Sequence, residues 1–237
     1  MTESLLTKFK NKACIVTGAS SGIGLAIANM LCDNGITVYG IGRNFSGDEK
    51  FTSVVCDLLD TTVAASMVKE LMAKDDVVIL VNCAGSAYYG LHENISASSI
   101  HEMVTVDLEV PMLLTNVVMR SFKEKGNCFI INVSSVTASK AAPHGACYGA
   151  CKAGLSAFSA SIWEEARKHG VYITDICPDM TESNLYRNAD FTTDSDVEAR
   201  LEPEDVAKAV ESVLSMRDGV CIPSIKLMPR YNRIKRK

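Results

Sequence analysis

Aromatic residues are scarce in this 237-residue sequence (6%, with one Trp), as are prolines (six) and histidines (four), and long apolar runs are missing. Val77 to Val81 is a typical run, far short of the ~18 consecutive apolar residues of a membrane span. The opening stretch, Met1 to Lys8, has no apolar core of the signal-peptide kind. A soluble, cytoplasmic protein without a membrane partner is expected. The nine cysteines include no Cys-x-x-Cys pair, and the histidines show no His-Glu-x-x-His spacing, so no metal site is expected. Most of the cysteines sit inside apolar segments and read as buried free thiols. Repeats and low-complexity linkers are also missing, and a composition of 47% hydrophobic and 22% charged residues excludes disordered, collagenous and coiled-coil classes. The net charge of −4 gives no reason to expect nucleic-acid binding.

Short β-rich runs alternate with longer helical stretches along the whole chain. Ala13 to Val16, Thr37 to Ile41, Ser53 to Cys56, Val77 to Val81, Phe129 to Val133, Val171 to Ile176 and Val220 to Ile225 read as strands buried on both faces. Between them Ile23 to Asn34, Thr61 to Ala73, Ser98 to Lys125, Tyr148 to His169 and Pro203 to Met216 read as helices. This alternation predicts one α/β domain over residues 1–237, a doubly wound Rossmann fold whose central, mostly parallel sheet has seven strands flanked by helices. Gly42 to Thr52 is too short and polar for a crossover helix, and a loop is expected there.

Directly after the first strand comes Thr17-Gly18-Ala19-Ser20-Ser21-Gly22-Ile23-Gly24, opening a helix. The glycines suit a tight turn at 18, close approach of a pyrophosphate at 22 and helix-on-strand packing at 24, while the helix N-terminus offers free N–H groups. At the end of the second strand stands Arg43-Asn44, with no acid to bond a ribose 2′-hydroxyl and an Arg able to accept a 2′-phosphate. NADP(H) is therefore favoured over NAD(H), the alternative being Arg43 as a solvated loop residue. Tyr148 and Lys152 lie four apart on one helix face, so an ammonium can sit near the phenol and lower its pKa. That would make Tyr148 an acid or base usable near neutral pH.

These motifs resemble the short-chain dehydrogenase/reductase family over nearly the whole chain. The family's Thr-Gly-x-x-x-Gly-x-Gly turn is present, its adenine-holding Asp matches Asp57, followed by Leu58, and its Asn-Asn-Ala-Gly segment appears as Asn82-Cys83-Ala84-Gly85. The resemblance implies cofactor contacts at Gly18, Ser20, Ser21, Gly22, Ile23, Gly24, Arg43, Asn44, Asp57, Leu58, Asn82, Ala84, Gly85, Tyr148, Lys152, Pro178, Thr181 and Ser183. It also selects Ser135 over Ser134 as the catalytic Ser, by the family's spacing to Tyr148. In reduction, Tyr148 would protonate the carbonyl oxygen, Ser135 would hold that oxygen, and Lys152 would bind the ribose. A homodimer or homotetramer packed through the helices Ser98 to Lys125 and Tyr148 to His169 is implied too.

Two positions depart from the pattern. The family's usual Asn falls at Asp107, on an apolar helical face with Ile100, Met103 and Val104. Pro111, four residues later, has no N–H for the carbonyl of residue 107, so a kink and a free carbonyl are expected, with the proton relay carried by the backbone there. Asp107 thus joins Ser135, Tyr148 and Lys152 as a candidate catalytic position. Asp179 replaces the Gly of the Pro-Gly pair before Thr181. Residues 182–200 read as a lid carrying Leu185, Tyr186 and Phe191, and His144 reads as a loop residue. Residues 230–237 form a basic tail able to touch phosphates or membranes, or else a solvated or subunit-contacting terminus. The leading reading is an NADP-dependent oxidoreductase interconverting a carbonyl and a secondary alcohol of a small molecule. The alternative is a catalytically impaired NADP-binding regulator or scaffold.

Overall fold

The computed structural model describes residues 6–237. In chain order the elements are β1 (Ala13–Thr17), α1 (Gly22–Asp33), β2 (Thr37–Gly42), β3 (Thr52–Val55), α2 (Thr61–Lys74), β4 (Val77–Asn82), α3 (Ala97–Val104), a π-helical turn (Thr105–Glu109) and α4 (Val110–Lys125). There follow β5 (Cys128–Val133), α5 (Ala146–Ala166), β6 (Val171–Pro178), β7 (Phe191–Thr193), α6 (Pro203–Leu214), β8 (Ser224–Leu227) and β9 (Ile234–Arg236). Seven strands form one parallel sheet in the order β3-β2-β1-β4-β5-β6-β8. Strands β1, β4, β5 and β6 are buried along their whole length, which is why they read as unbroken apolar runs. Helix α1 packs beside α6, while α2, α4 and α5 form a second group.

The strand order reverses between β1 and β4, and the carboxyl ends of these two strands open the crevice where such sheets bind their ligands. No helix lies between β2 and β3, as the short polar stretch there required. The consequence is an edge strand more exposed than expected, with Val55 67% accessible. The opposite edge strand also departs from the sequence reading. It spans Ser224–Leu227 rather than Val220 to Ile225, and it alternates exposed with half-buried residues.

The helix expected over Ser98 to Lys125 is broken into two by the π-helical turn Thr105–Glu109. The missing N–H of Pro111 is the physical cause: a residue is added to the turn before it, and Val110 N–H bonds to the carbonyl of Thr105. Met103 lies fully buried beside this turn, whereas Val104 is 40% exposed, so the apolar face is narrower than the spacing suggested.

Candidate active site

The glycine turn packs against the end of β4 so closely that side chains are excluded. Gly18 has φ +71°, and a Cβ there would lie 2.8 Å from Ala84 Cα; one on Gly24 would lie 2.3 Å from Gly18 O. Thr17 fixes the two strand ends together, its hydroxyl accepting the N–H groups of Cys83 (3.0 Å) and Ala84 (3.1 Å). At the start of α1 the cap residue Ser21 makes no side-chain bond to the helix, leaving the first N–H groups for a ligand. Gly18, Ser20, Ser21, Gly22, Ile23 and Gly24 line a cleft, joined from β2 by Arg43, from beyond β3 by Asp57 and Leu58, and from beyond β4 by Ala84 and Gly85. This cradle of close backbone, uncapped N–H groups and Arg43 suits a dinucleotide.

Three expected cofactor residues do not line the cleft. Asn44 is exposed beyond its rim. Asn82 is buried in the sheet, donating to Asn132 Oδ1 (2.8 Å), and Asn132 donates in turn to Ser159 on α5 (2.8 Å). It ties the sheet to α5 behind the cleft. Thr181 is also buried, donating to the carbonyl of Asp179 (2.9 Å), while its neighbours Pro178 and Ser183 do reach the cleft. Asp179 itself accepts Met180 N–H (2.8 Å) and lies outside the left-handed region, so an Asp replaces the expected Gly without backbone strain.

At the other end of the cleft stand Ser134, Ser135, Tyr148 and Lys152. Ser134 points to β6, donating to Ile176 O (3.4 Å), whereas Ser135 Oγ accepts the N–H of Thr137 (3.2 Å) and faces the cleft with Tyr148, whose pKa it draws down. The structure thereby separates two serines that sequence separated only by spacing. Lys152 on α5 donates to Val133 O (3.0 Å), and its Nζ lies 3.0 Å from Asp107 Oδ1. Both partners of this ion pair are almost fully buried, and Asp107 Oδ2 accepts the N–H of Ser86 (3.0 Å). Gly85 makes room for the carboxylate, since a Cβ there would be 3.0 Å from Oδ1.

This geometry corrects one expectation. Tyr148 is pushed well above the ordinary tyrosine pKa, first by burial and next by the Asp107 carboxylate, against the opposing bond from Ser135. The Lys152 ammonium faces Asp107 and sits 5.6 Å from the Tyr148 ring centroid, and its charge is answered before it can favour a phenolate. Burial likewise raises Asp107, although Lys152 and the Ser86 N–H pull the other way. The Cys83 thiol, which also lines the cleft, is driven up to about 12 by burial.

Several residues of the site carried no readable sequence signal. Glu102 lines the cleft and accepts the hydroxyls of Ser86 (2.7 Å) and Tyr88 (2.7 Å). Arg187 also lines it. Tyr89 packs on Tyr148 (6.0 Å between ring centroids), Tyr186 (6.2 Å) and Phe191 (4.9 Å), forming an aromatic wall beside the phenol. His144 is an exposed loop residue with φ +65°.

A sequence model of the short chain dehydrogenase family matches residues 12–193. The chain belongs to that family. As a short-chain dehydrogenase it is an NAD(P)-dependent oxidoreductase, and relatives span nearly all of it. It is 27% identical over 236 residues to an uncharacterised oxidoreductase of Staphylococcus epidermidis, covering 94% of this dehydrogenase and all of the relative. Over 188 residues it is 28% identical to the ketoacyl reductase HetN of Nostoc, covering 73% and 64% of the two chains. A metagenomic short-chain oxidoreductase solved with NADP superposes with a TM-score of 0.80 at 26% identity, covering 94% and 99% of the two chains. The alcohol dehydrogenase of Thermococcus sibiricus, solved with 5-hydroxy-NADP, has a TM-score of 0.82 at 21% identity, covering 94% and 98%; it shares the fold. No helix among the described residues is long and apolar enough to cross a membrane.

Proposed function

We propose that this dehydrogenase is an NADP(H)-dependent enzyme that interconverts a carbonyl and a secondary alcohol of a small molecule in the cytoplasm, with Tyr148 as the general acid or base. The observation that carries the reading is the meeting of Ser135, Tyr148 and Lys152 in one cleft with the glycine cradle. Arg43 in the same cleft, with no acid at the end of β2, supports NADP(H), as does the NADP bound by the metagenomic relative. When bound, the nicotinamide would supply or accept the hydride. Tyr148, kept protonated by burial, gives its proton to the carbonyl oxygen in reduction. Ser135, lining the cleft beside Tyr148, donates its hydroxyl to that oxygen and holds it. Lys152, anchored by Val133 O and Asp107, offers its remaining hydrogen to a ribose hydroxyl. Residues 182–200 act as the lid of this one-domain enzyme, and α4 and α5 pair it with further copies.

Loss of NADPH absorbance with a panel of ketones, aldehydes, 3-oxoacyl esters and oxosteroids tests the reading. Turnover should fall roughly 10²- to 10⁴-fold in Tyr148→Phe, the range of a lost general acid. NADPH binding without turnover on any carbonyl would instead favour the impaired regulator, for which the buried Asp107–Lys152 pair is the specific ground. Arg43→Ala should weaken NADPH roughly 10- to 100-fold, the ~1.5–3 kcal/mol of a charged hydrogen bond, and leave NADH nearly unchanged in a fluorescence titration.

A further inference from the structure

The basic tail read from the sequence is exposed, but it does not trail free: it folds back onto the segment 182–200. Strand β9 pairs antiparallel with β7, Phe191 opposite Arg236, Thr192 opposite Lys235 and Thr193 opposite Ile234. Backbone bonds extend the pairing at both ends, from Lys237 N–H to Asp190 O (2.8 Å) and from Tyr231 N–H to Glu198 O (2.9 Å). Three of the five cationic side chains find partners on the same segment. Arg230 pairs with Glu198 (3.1 Å), Arg233 with Asp196 (2.6 Å), and Lys237 Nζ donates to the carbonyl of Tyr186 (2.6 Å).

From this ribbon an unbroken stack leads to the candidate catalytic phenol. Phe191 of β7 packs on Tyr89 and on Tyr186, and Tyr89 packs on Tyr148. Tyr148 is 4% exposed and Tyr186 7%. The ribbon itself is slight. Two three-residue strands are marginal alone, and exposed ion pairs of this kind each contribute little. A closure so weakly held, and built so largely on charge, can open without disturbing the sheet.

We infer that residues 230–237 are a strap that closes the lid over Tyr148 and, resting on the carbonyl reading above, limits which carbonyls reach it. With the strap engaged, Tyr186 lines the cleft and Tyr89 packs on the phenol, both backed by Phe191, which suits a small carbonyl with an apolar or flat aromatic flank. A bulkier ketone must push Tyr89 or Tyr186 back onto Phe191 and so strain its pairing to β9.

The test compares the full chain with Arg230→Glu/Arg233→Glu and with a charge-swapped chain that adds Asp196→Arg and Glu198→Arg. Amide hydrogen exchange over residues 186–193 and acetylation of Tyr148 by N-acetylimidazole are followed by mass spectrometry; both read closure without needing turnover. Exchange and acetylation should rise at least about fivefold in the double variant and return toward the parent in the swap, with NADPH affinity unchanged. If either stays at the parent rate, the strap does not hold the lid. kcat/KM for a diaryl ketone, relative to propanal, should rise severalfold in the double variant. An unchanged ratio in a loosened lid overturns the limit on substrate size. Absence of turnover with both carbonyls in every version tells against the carbonyl reading and removes the size limit with it, while exchange and acetylation still decide the strap. Deletion of residues 230–237 gives the same comparison if the charge variants fold poorly.

Discussion

Lys152 and Asp107 sit against each other with almost no solvent between them, and after burial the Asp107 charge is the largest influence on the acid–base character of Tyr148. Burial and the Asp107 charge both raise the phenol pKa, so Tyr148 stays protonated across the neutral range. Reduction needs the protonated form; alcohol oxidation needs the phenolate. The sign follows directly: kcat/KM for reduction should be flat from pH 6 to 9, while kcat/KM for oxidation should rise by about tenfold per pH unit as the free enzyme's phenolate fraction grows. Asp107→Asn removes the second cause of the upward shift, so the oxidation limb should move to lower pH in that variant. A limb that does not move would show that burial alone holds the phenol. The Tyr–Lys spacing and the glycine turn were legible because they are local patterns of period and contact. The ion pair was not, since it depends on Gly85, far from both residues in sequence, leaving room for a carboxylate.

At the scale of elements, buried parallel strands show themselves as apolar runs, and their placement followed closely from sequence. The edge strands, β3 more exposed than expected and β8 displaced along the chain, each have a single strand neighbour and face water, so packing imposes no apolar pattern on them. Pro111 signalled the break in the long helix; its form, a π-helical turn, is decided by how the backbone absorbs the missing hydrogen bond. Strands β7 and β9 have three residues each and no alternation that a reading of period could find. The glycine turn is the element on which the cofactor reading rests most directly. In Gly18→Ala the new Cβ meets Ala84 Cα at 2.8 Å in a backbone conformation that L residues rarely adopt. Neither backbone can yield alone, so the turn and the Ala84-Gly85 segment must separate. The expected result is a loss of about 1–3 kcal/mol in urea unfolding, the range of strained backbone, together with loss of measurable NADPH binding. Wild-type affinity in this variant would mean that the glycines do not cradle the cofactor.

For the molecule as a whole, charge is conspicuously missing from two helices. From Val110 to Met119 α4 carries no charged residue, and from Ala146 to Ile162 α5 carries only Lys152, which is buried. Yet α4 exposes Met112 and Asn116, and α5 exposes Ala150, Ala157, Ala160 and Ser161. An exposed helix face is ordinarily dressed with Lys and Glu, as α2 is at Lys69 and Glu70. Small uncharged side chains let a second helix approach closely, and the other side of α5 carries Tyr148 and Lys152, so pairing through this face would stiffen the element that holds the site. The assembly expected is a homodimer or homotetramer with α4 and α5 at its interface. An interface of standard size buries roughly 1,200–2,000 Å², so one charge near its centre should break it. Light scattering should therefore give the wild type twice or four times the mass of one chain, and Ala157→Glu the mass of a single chain. In the monomeric variant the site loses its support from outside, and turnover should fall further than NADPH affinity. A wild type already monomeric at micromolar concentration would leave the uncharged face of α5 to some other partner and remove oligomerisation from the account of catalysis.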